Sequence, residues 1–173
     1  MILISDATPS DVPTIIDIAE RSWWKAYGSI LHANQIRYML DTMYAPQVLT
    51  KDMRRGTQLF LLASDESQPR AFAAYGKRYE EVGVYKIYKI YVDPDTQGKG
   101  FGAALVREIV KRLALQGVPI LELNVNRHNP ARTFYEKLGF RVEREEDTPI
   151  GPYWMNDYVM RLDLRKFPGD FHV

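Results

Sequence analysis

The sequence predicts one α/β domain, of the α+β kind, in which a mixed, mostly antiparallel sheet carries helices on both faces. Three observations point there. Apolar runs at a period of two alternate along the chain with amphipathic stretches at helical spacing. Several of these runs are joined by short turns rich in Gly, Pro and Asp, which makes their pairing antiparallel. No internal repeat, linker or low-complexity tract divides the 173 residues, so residues 1–173 are expected to form a single domain, large enough for a real core. About six or seven strands and about four helices are expected.

In order along the chain, residues 2–7 alternate like a short strand, and Thr8-Pro9-Ser10-Asp11 supplies helix-start chemistry with Ser10 as the expected N-cap. Val12, Ile15, Ile16, Ala19 and Trp23 at helical spacing predict a first helix to about Lys25, stopped by Tyr27-Gly28-Ser29. Ile36, Met39, Leu40 and Met43 stripe a second helix over 35–43, and Pro46 opens a shorter one that ends near Arg55-Gly56. Two strands, over 58–63 and 71–79, flank a hairpin turn at 65–69. A long strand over 85–92 contains Tyr-Lys-Ile twice in succession. A three-residue repeat conflicts with a two-residue strand period, so a bulge or splay is expected there.

Leu105, Val106, Ile109, Val110 and Leu113 then form one face of a helix closed by Gly117 and Pro119. In the strand over 120–125, Leu121, Leu123 and Val125 share one face, with Glu122 and Asn124 on the other and Asn126 continuing it. Asn129-Pro130 opens a short helix over 131–138, capped by Gly139. A final strand pair covers 140–145 and 153–164, with a turn at 149–152.

Composition narrows the function. Lys+Arg 23 against Asp+Glu 22 gives a net charge of +1, so neither nucleic acid nor an anionic membrane is an expected partner. The absence of cysteine excludes disulfides, thiolate metal sites and a cysteine nucleophile. His32, His128 and His172 lack metal-ligand spacing, and no metal is expected. The N-terminal segment turns polar too soon for a signal peptide and no apolar run approaches membrane-spanning length, so a cytoplasmic location is expected.

The chemistry concentrates in Gln97-Gly98-Lys99-Gly100-Phe101-Gly102, between the long strand and the helix after it. Alternate glycines leave the backbone amides uncovered. The first turn of the following helix adds unpaired amides at the positive end of its dipole. Together these describe an anion site, most naturally for phosphate. A P-loop needs a hydroxyl residue after Gly-Lys, and here Gly100 follows Lys99. A dinucleotide fingerprint needs G-x-G-x-x-G, whereas this loop is G-x-G-x-G.

The loop, after a strand ending Val-Asp-Pro, resembles the Q/R-x-x-G-x-G/A signature of the GNAT N-acetyltransferase superfamily. Downstream, Asn129-Pro-Ala-Arg-Thr-Phe-Tyr-Glu-Lys-Leu-Gly-Phe140 resembles that family's Asn-x-x-Ala…Tyr-x-Lys-x-Gly-Phe helix. The C-terminal Tyr-Trp-Met-Asn-Asp segment faintly resembles the polyamine acetyltransferases within it. The resemblance implies a GNAT fold, acetyl-CoA as cosubstrate, and direct transfer to a primary amine on a small molecule, a polyamine or a peptide N-terminus. The alternative it leaves open is a GNAT-fold protein that binds acyl-CoA without turnover. The family often forms homodimers through its C-terminal strands, and a homodimer is expected on that ground alone.

The resemblance also implies roles for residues. The amides of Gln97, Gly98, Lys99, Gly100, Phe101, Gly102 and Ala103 hold the pyrophosphate. The backbone of Ile90, Tyr91 and Val92 pairs with the pantetheine arm, one amide polarising the thioester carbonyl. Asn129 bonds the pantetheine, with Asn126 as the alternative because the spacing from Asn129 to Ala131 is one residue short of the common pattern. Lys137 either touches the CoA phosphates or stays solvated. Tyr135 is the expected general acid, since a tyrosine hydroxyl, with a pKa of about 10, is protonated at neutral pH. The family's strand glutamate falls on Tyr88. Glu122 is therefore the expected base, with Glu80 and Glu81 as substitutes, acting through water. Trp23-Trp24 either walls the acceptor pocket or packs, and the acidic run at 143–147 is expected to be a solvated turn.

Overall fold

The computed structural model describes residues 1–166; His172 lies outside them. The elements are β1 (Leu3–Asp6), α1 (Val12–Tyr27), α2 (Ala33–Met43), α3 (Pro46–Arg55), β2 (Leu59–Asp65), β3 (Gln68–Lys77) and β4 (Val84–Val92). There follow α4 (Phe101–Leu115), β5 (Ile120–Asn126), α5 (Ala131–Lys137), β6 (Arg141–Ile150) and β7 (Tyr153–Asp163). The seven strands lie in the order β1-β2-β3-β4-β5-β7-β6, and only β4 and β5 run parallel.

Strand alternation builds two cores. Leu61, Ala63, Ala71, Ala73 and Leu123 face α4 and α5, while Phe60, Leu62, Phe72 and Ala74 face α1, α2 and α3. The helix α4 buries the whole stripe its spacing marks out, and α2 buries Ile36, Met39 and Leu40 of its own.

Three local expectations change. Ser10 does not cap α1; the Asp11 carboxylate instead accepts the Thr8 backbone N–H at 2.8 Å, and a single 3₁₀ turn leads into the helix. The charged run at 143–147 is strand, because it pairs with β7 along the sheet edge. The last turn narrows to Gly151-Pro152, with Ile150 already opposite Tyr153.

The repeat in β4 does resolve into a bulge. Ala74 pairs with Lys89 and Tyr75 with Ile87, leaving Tyr88 without a partner. This one-residue shift returns Ile90 to the α4 face alongside Ile87, and turns Tyr91 toward α1–α3. It also buries Lys89, whose Nζ donates to Gln58 Oε1 at 2.8 Å beneath the Tyr44 and Phe60 rings. Burial lowers the Lys89 ammonium to about 8, with Asp52 opposing the shift. A folded pKa below the unfolded value means that stability rises as pH climbs from about 8 towards 10. Lys89→Met should therefore stabilise the protein by about 1–2 kcal/mol at pH 7 and abolish that rise. Urea titrations at pH 7 and pH 9.5 measure both effects.

Candidate active site

Beside the bulge the sheet opens. β4 pairs with β5 only from Val84↔Ile120 to Ile87↔Leu123, while β3 follows β4 to Val92 and β7 follows β5 to Asn126. Beyond Ile87 the two parallel strands diverge, and a cleft of about 830 Å³ fills the gap. Its walls include Ile90, Tyr91 and Val92 on one side and Asn129 and Tyr135 on the other, and it reaches the loop residues Gln97, Gly98, Gly100, Phe101, Gly102 and Ala103.

The loop has the properties an anion needs. Gly98 and Gly100 sit at φ +81° and +91°. A Cβ on Gly98 would meet nothing within 4 Å, and one on Gly100 only Ile2 Cδ1 at 3.8 Å. Protein packing therefore leaves the space above these glycines open. The first amide after Thr96 to donate within the protein is that of Ala104, to Gly100 O at 3.0 Å, among the described residues. The amides from 97 to 103 are thus free at a helix N-terminus, and a pyrophosphate fits them. The turn before the loop is held rigidly: Asp93 Oδ1 accepts from Arg21 Nη1 at 2.6 Å and from the Asp95 N–H at 3.0 Å. Burial alone would raise Asp93, but Arg21 and the Asp95 amide more than reverse it and hold the carboxyl below its usual range.

Tyr135 is buried against Phe134 and Phe140, with ring centroids at 5.1 and 5.9 Å, and its hydroxyl has no hydrogen-bond partner among the described residues. Burial pushes that hydroxyl well above the ordinary tyrosine range, with the nearby Tyr27 adding to it. Asn129 Oδ1 caps α5 by accepting the Ala131 N–H at 2.9 Å, and Asn126 Oδ1 accepts the His128 N–H at the same distance. The Asn126 NH₂ stays available, while that of Asn129 lies beside the Tyr27 hydroxyl. Asn129 faces the large cleft, whereas Asn126 faces a second cavity. Lys99 and Lys137 are exposed and line neither.

The second cavity, about 430 Å³, lies between the opened sheet and α1–α2. It shares Tyr27, Ile87, Tyr88, Tyr91 and Asn124 with the first, so the two meet at the split. Trp23 lines it and packs on Tyr27 and Tyr91 at 4.7 and 5.6 Å, while Trp24 turns outward.

Glu122 reaches neither cavity. Its two oxygens accept from Arg78 Nη1 at 2.9 Å, and Oε1 also accepts from Arg161 Nε at 3.0 Å. A carboxylate 1% exposed and held by two guanidiniums ties β5 to its neighbours and has no free face for an amine. Glu81 is likewise engaged by Arg161. Glu80 lies at the mouth of the second cavity.

Other groups occupy that cavity instead: Asp157 on β7, Asn124 on β5, Glu146 on β6 and Lys86 on β4. Asn124 Nδ2 donates to both Asp157 Oδ2 and Glu146 Oε2 at 3.2 Å. Burial raises the Asp157 carboxyl above its usual range, against the Asn124 hydrogen bond and Lys86. Asp157 ends the Tyr-Trp-Met-Asn-Asp segment and Tyr27 begins the stop of the first helix, but the sequence marked neither as a site residue.

The similarity of the chain to known proteins agrees with this geometry. It is 27% identical over 138 residues to a spermidine N(1)-acetyltransferase of Thermoplasma acidophilum, covering 77% of this chain and 84% of that protein. It is 33% identical over 93 residues to an uncharacterized N-acetyltransferase of Methanocaldococcus jannaschii, of which it spans only 41%. The crystal structure of the PaiA N-acetyltransferase of T. acidophilum in complex with coenzyme A superposes with a TM-score of 0.80 at 26% identity, over 94% of this chain and 99% of that one. The family model for the acetyltransferase (GNAT) domain matches residues 30–152, from the α1–α2 loop to the β6–β7 turn and across the whole split with its glycine loop, and the chain belongs to that family.

Proposed function

We propose that the protein transfers an acetyl group from acetyl-CoA to a primary amine. The observation that carries this reading is the split between β4 and β5, with free loop amides at one end of its cleft and a second, acid-bearing cavity at its side. Acetyl-CoA supplies the activated thioester. The amides from 97 to 103 hold its pyrophosphate. The released edge of β4 at Ile90, Tyr91 and Val92 hydrogen-bonds the pantetheine arm, and the Asn129 NH₂ donates to it from the facing wall. Tyr135 donates a hydrogen bond to the departing sulfur, a role suited to a hydroxyl that burial keeps protonated.

The acceptor enters past Trp23 and Tyr27. The similarity to a spermidine acetyltransferase makes a polyamine the first acceptor to try, and a peptide amine the second.

Two measurements test the reading. Acetyl-CoA at a hundred times its Kd should stabilise the protein by about 2.7 kcal/mol, seen as a higher melting temperature. Free CoA thiol should then appear with at least one of spermidine, phenethylamine and a lysine-containing peptide. No stabilisation at saturation would sink the cosubstrate. Stabilisation without thiol release would leave a non-catalytic acyl-CoA-binding protein.

A further inference from the structure

Asp157 and Glu146 are paired directly across β7 and β6, so two carboxylates stand opposite each other on the face that lines the smaller cavity. Like charges in that register repel. Glu146 is answered by Arg144, whose Nη2 lies 3.3 Å from its Oε1. Asp157 has no such partner: no cation lies within 4.0 Å of it among the described residues, and Asn124 supplies its one side-chain hydrogen bond, to Oδ2. Its Oδ1 is buried with nothing to accept, although Asp157 is only 6% exposed. Asn124 Oδ1, beside it, is also buried and unpaired.

Two orphaned acceptors in one cavity are costly in a folded protein unless a donor completes them. Both are acceptors, so what completes them is a donor. An ammonium group brings three donors and a positive charge. We infer that Asp157 receives the ammonium of the acceptor in the smaller cavity and takes its proton, making it the catalytic base.

The inference rests on the acetyl-transfer reading. In the step, one N–H proton passes to the Asp157 carboxylate, and the freed lone pair attacks the thioester carbonyl carbon. A C–N bond forms, and the nitrogen of the resulting tetrahedral adduct gives up its second N–H proton to solvent. The C–S bond breaks with its electron pair on sulfur, and that thiolate accepts a proton from solvent. Asp157 then returns its own proton to water.

The groups that face Asp157 set its charge balance. Lys86 comes from β4, Glu146 from β6, Arg127 from the segment after β5, and Tyr27 from α1. Lys86 makes no ion pair among the described residues, and it offsets the charge from across the cavity without occupying Oδ1. Burial raises the carboxyl above its usual range, which brings its basicity closer to the amine's.

The test is the pH dependence of kcat/KM, using whichever of spermidine, phenethylamine and a lysine-containing peptide the wild type acetylates fastest. An enzyme that binds the ammonium and deprotonates it in place shows a plateau from the pKa of Asp157 to that of the amine. Asp157→Asn must wait for free amine, so its kcat/KM should rise about tenfold per pH unit across the same range. Near pH 7 its kcat should be about 10²–10³-fold lower. Its melting temperature should rise, because the ionised carboxylate costs stability as pH climbs through its raised pKa. A purely structural Asp157 would instead lower the melting temperature and leave the shape of the profile alone.

A variant with the wild-type profile and a kcat within about threefold of wild type would overturn the assignment. So would a wild-type profile without a plateau, which decides the matter even if the variant fails to fold. Absence of turnover by the wild type with all three amines removes the parent reading, and this one with it.

Discussion

Replacing Tyr135 with phenylalanine should lower kcat by about 10²–10³-fold and leave acetyl-CoA affinity within about threefold. The ring is what packs, against Phe134 and Phe140, and phenylalanine keeps it. The hydroxyl bonds nothing among the described residues, so its loss leaves no partner stranded and the melting temperature should hold or rise. What disappears is a donor on the wall of the cleft proposed to hold the thioester. Because burial holds the hydroxyl well above the ordinary range, the proposed role is to hydrogen-bond the developing thiolate rather than to surrender its proton in the ground state. Two consequences can be checked together. The variant should bind acetyl-CoA normally by calorimetry, and no alkaline limb from Tyr135 should appear in the wild-type rate below pH 10. An unchanged kcat in a folded variant would remove Tyr135 from the chemistry.

The parts of the site that could be read in the sequence are those made by consecutive residues. Gly98 and Gly100 announce their own backbone conformations, and the amides they uncover follow within the same few residues. The doubled Tyr-Lys-Ile marks the bulge at Tyr88, because a strand can keep both isoleucines on one face only by inserting a residue. Asn129 identifies itself as a cap through the proline after it. The proposed base could not be read this way, because its surroundings are made by strands far apart in sequence. Glu122 stands on the polar face of β5, as its alternation says, but the order β5-β7-β6 brings Arg161 opposite it, and Arg78 closes on it from the end of β3. The same order sets Asp157 against Glu146 and within reach of Asn124. A faint local signal existed. Met155, Asp157 and Val159 share the buried face of β7, and a carboxylate at an apolar strand position requires a reason.

Gly100→Val should weaken acetyl-CoA binding by about 10²-fold, or ~2.7 kcal/mol, well beyond its effect on folding. At φ +91° a β-branched residue is strained, and the fold should lose about 1–2 kcal/mol from that alone. No steric penalty adds to this, since a Cβ there meets only Ile2 Cδ1 at 3.8 Å. The new side chain instead stands in the open space above the loop amides, where the pyrophosphate belongs. Gly117 provides the matched comparison: φ +75° after α4, nothing within 4 Å of its Cβ, and a position at the other end of that helix from the loop. Gly117→Val carries the same kind of backbone strain without touching the cradle. The two variants should therefore melt at similar temperatures and differ by about two orders of magnitude in acetyl-CoA Kd. If calorimetry finds equal affinities, the glycines serve the turn alone and the anion is held elsewhere. If only Gly100→Val loses affinity, the loop is required by what it leaves uncovered, and the open β4 edge beyond it is placed to take the rest of the cosubstrate.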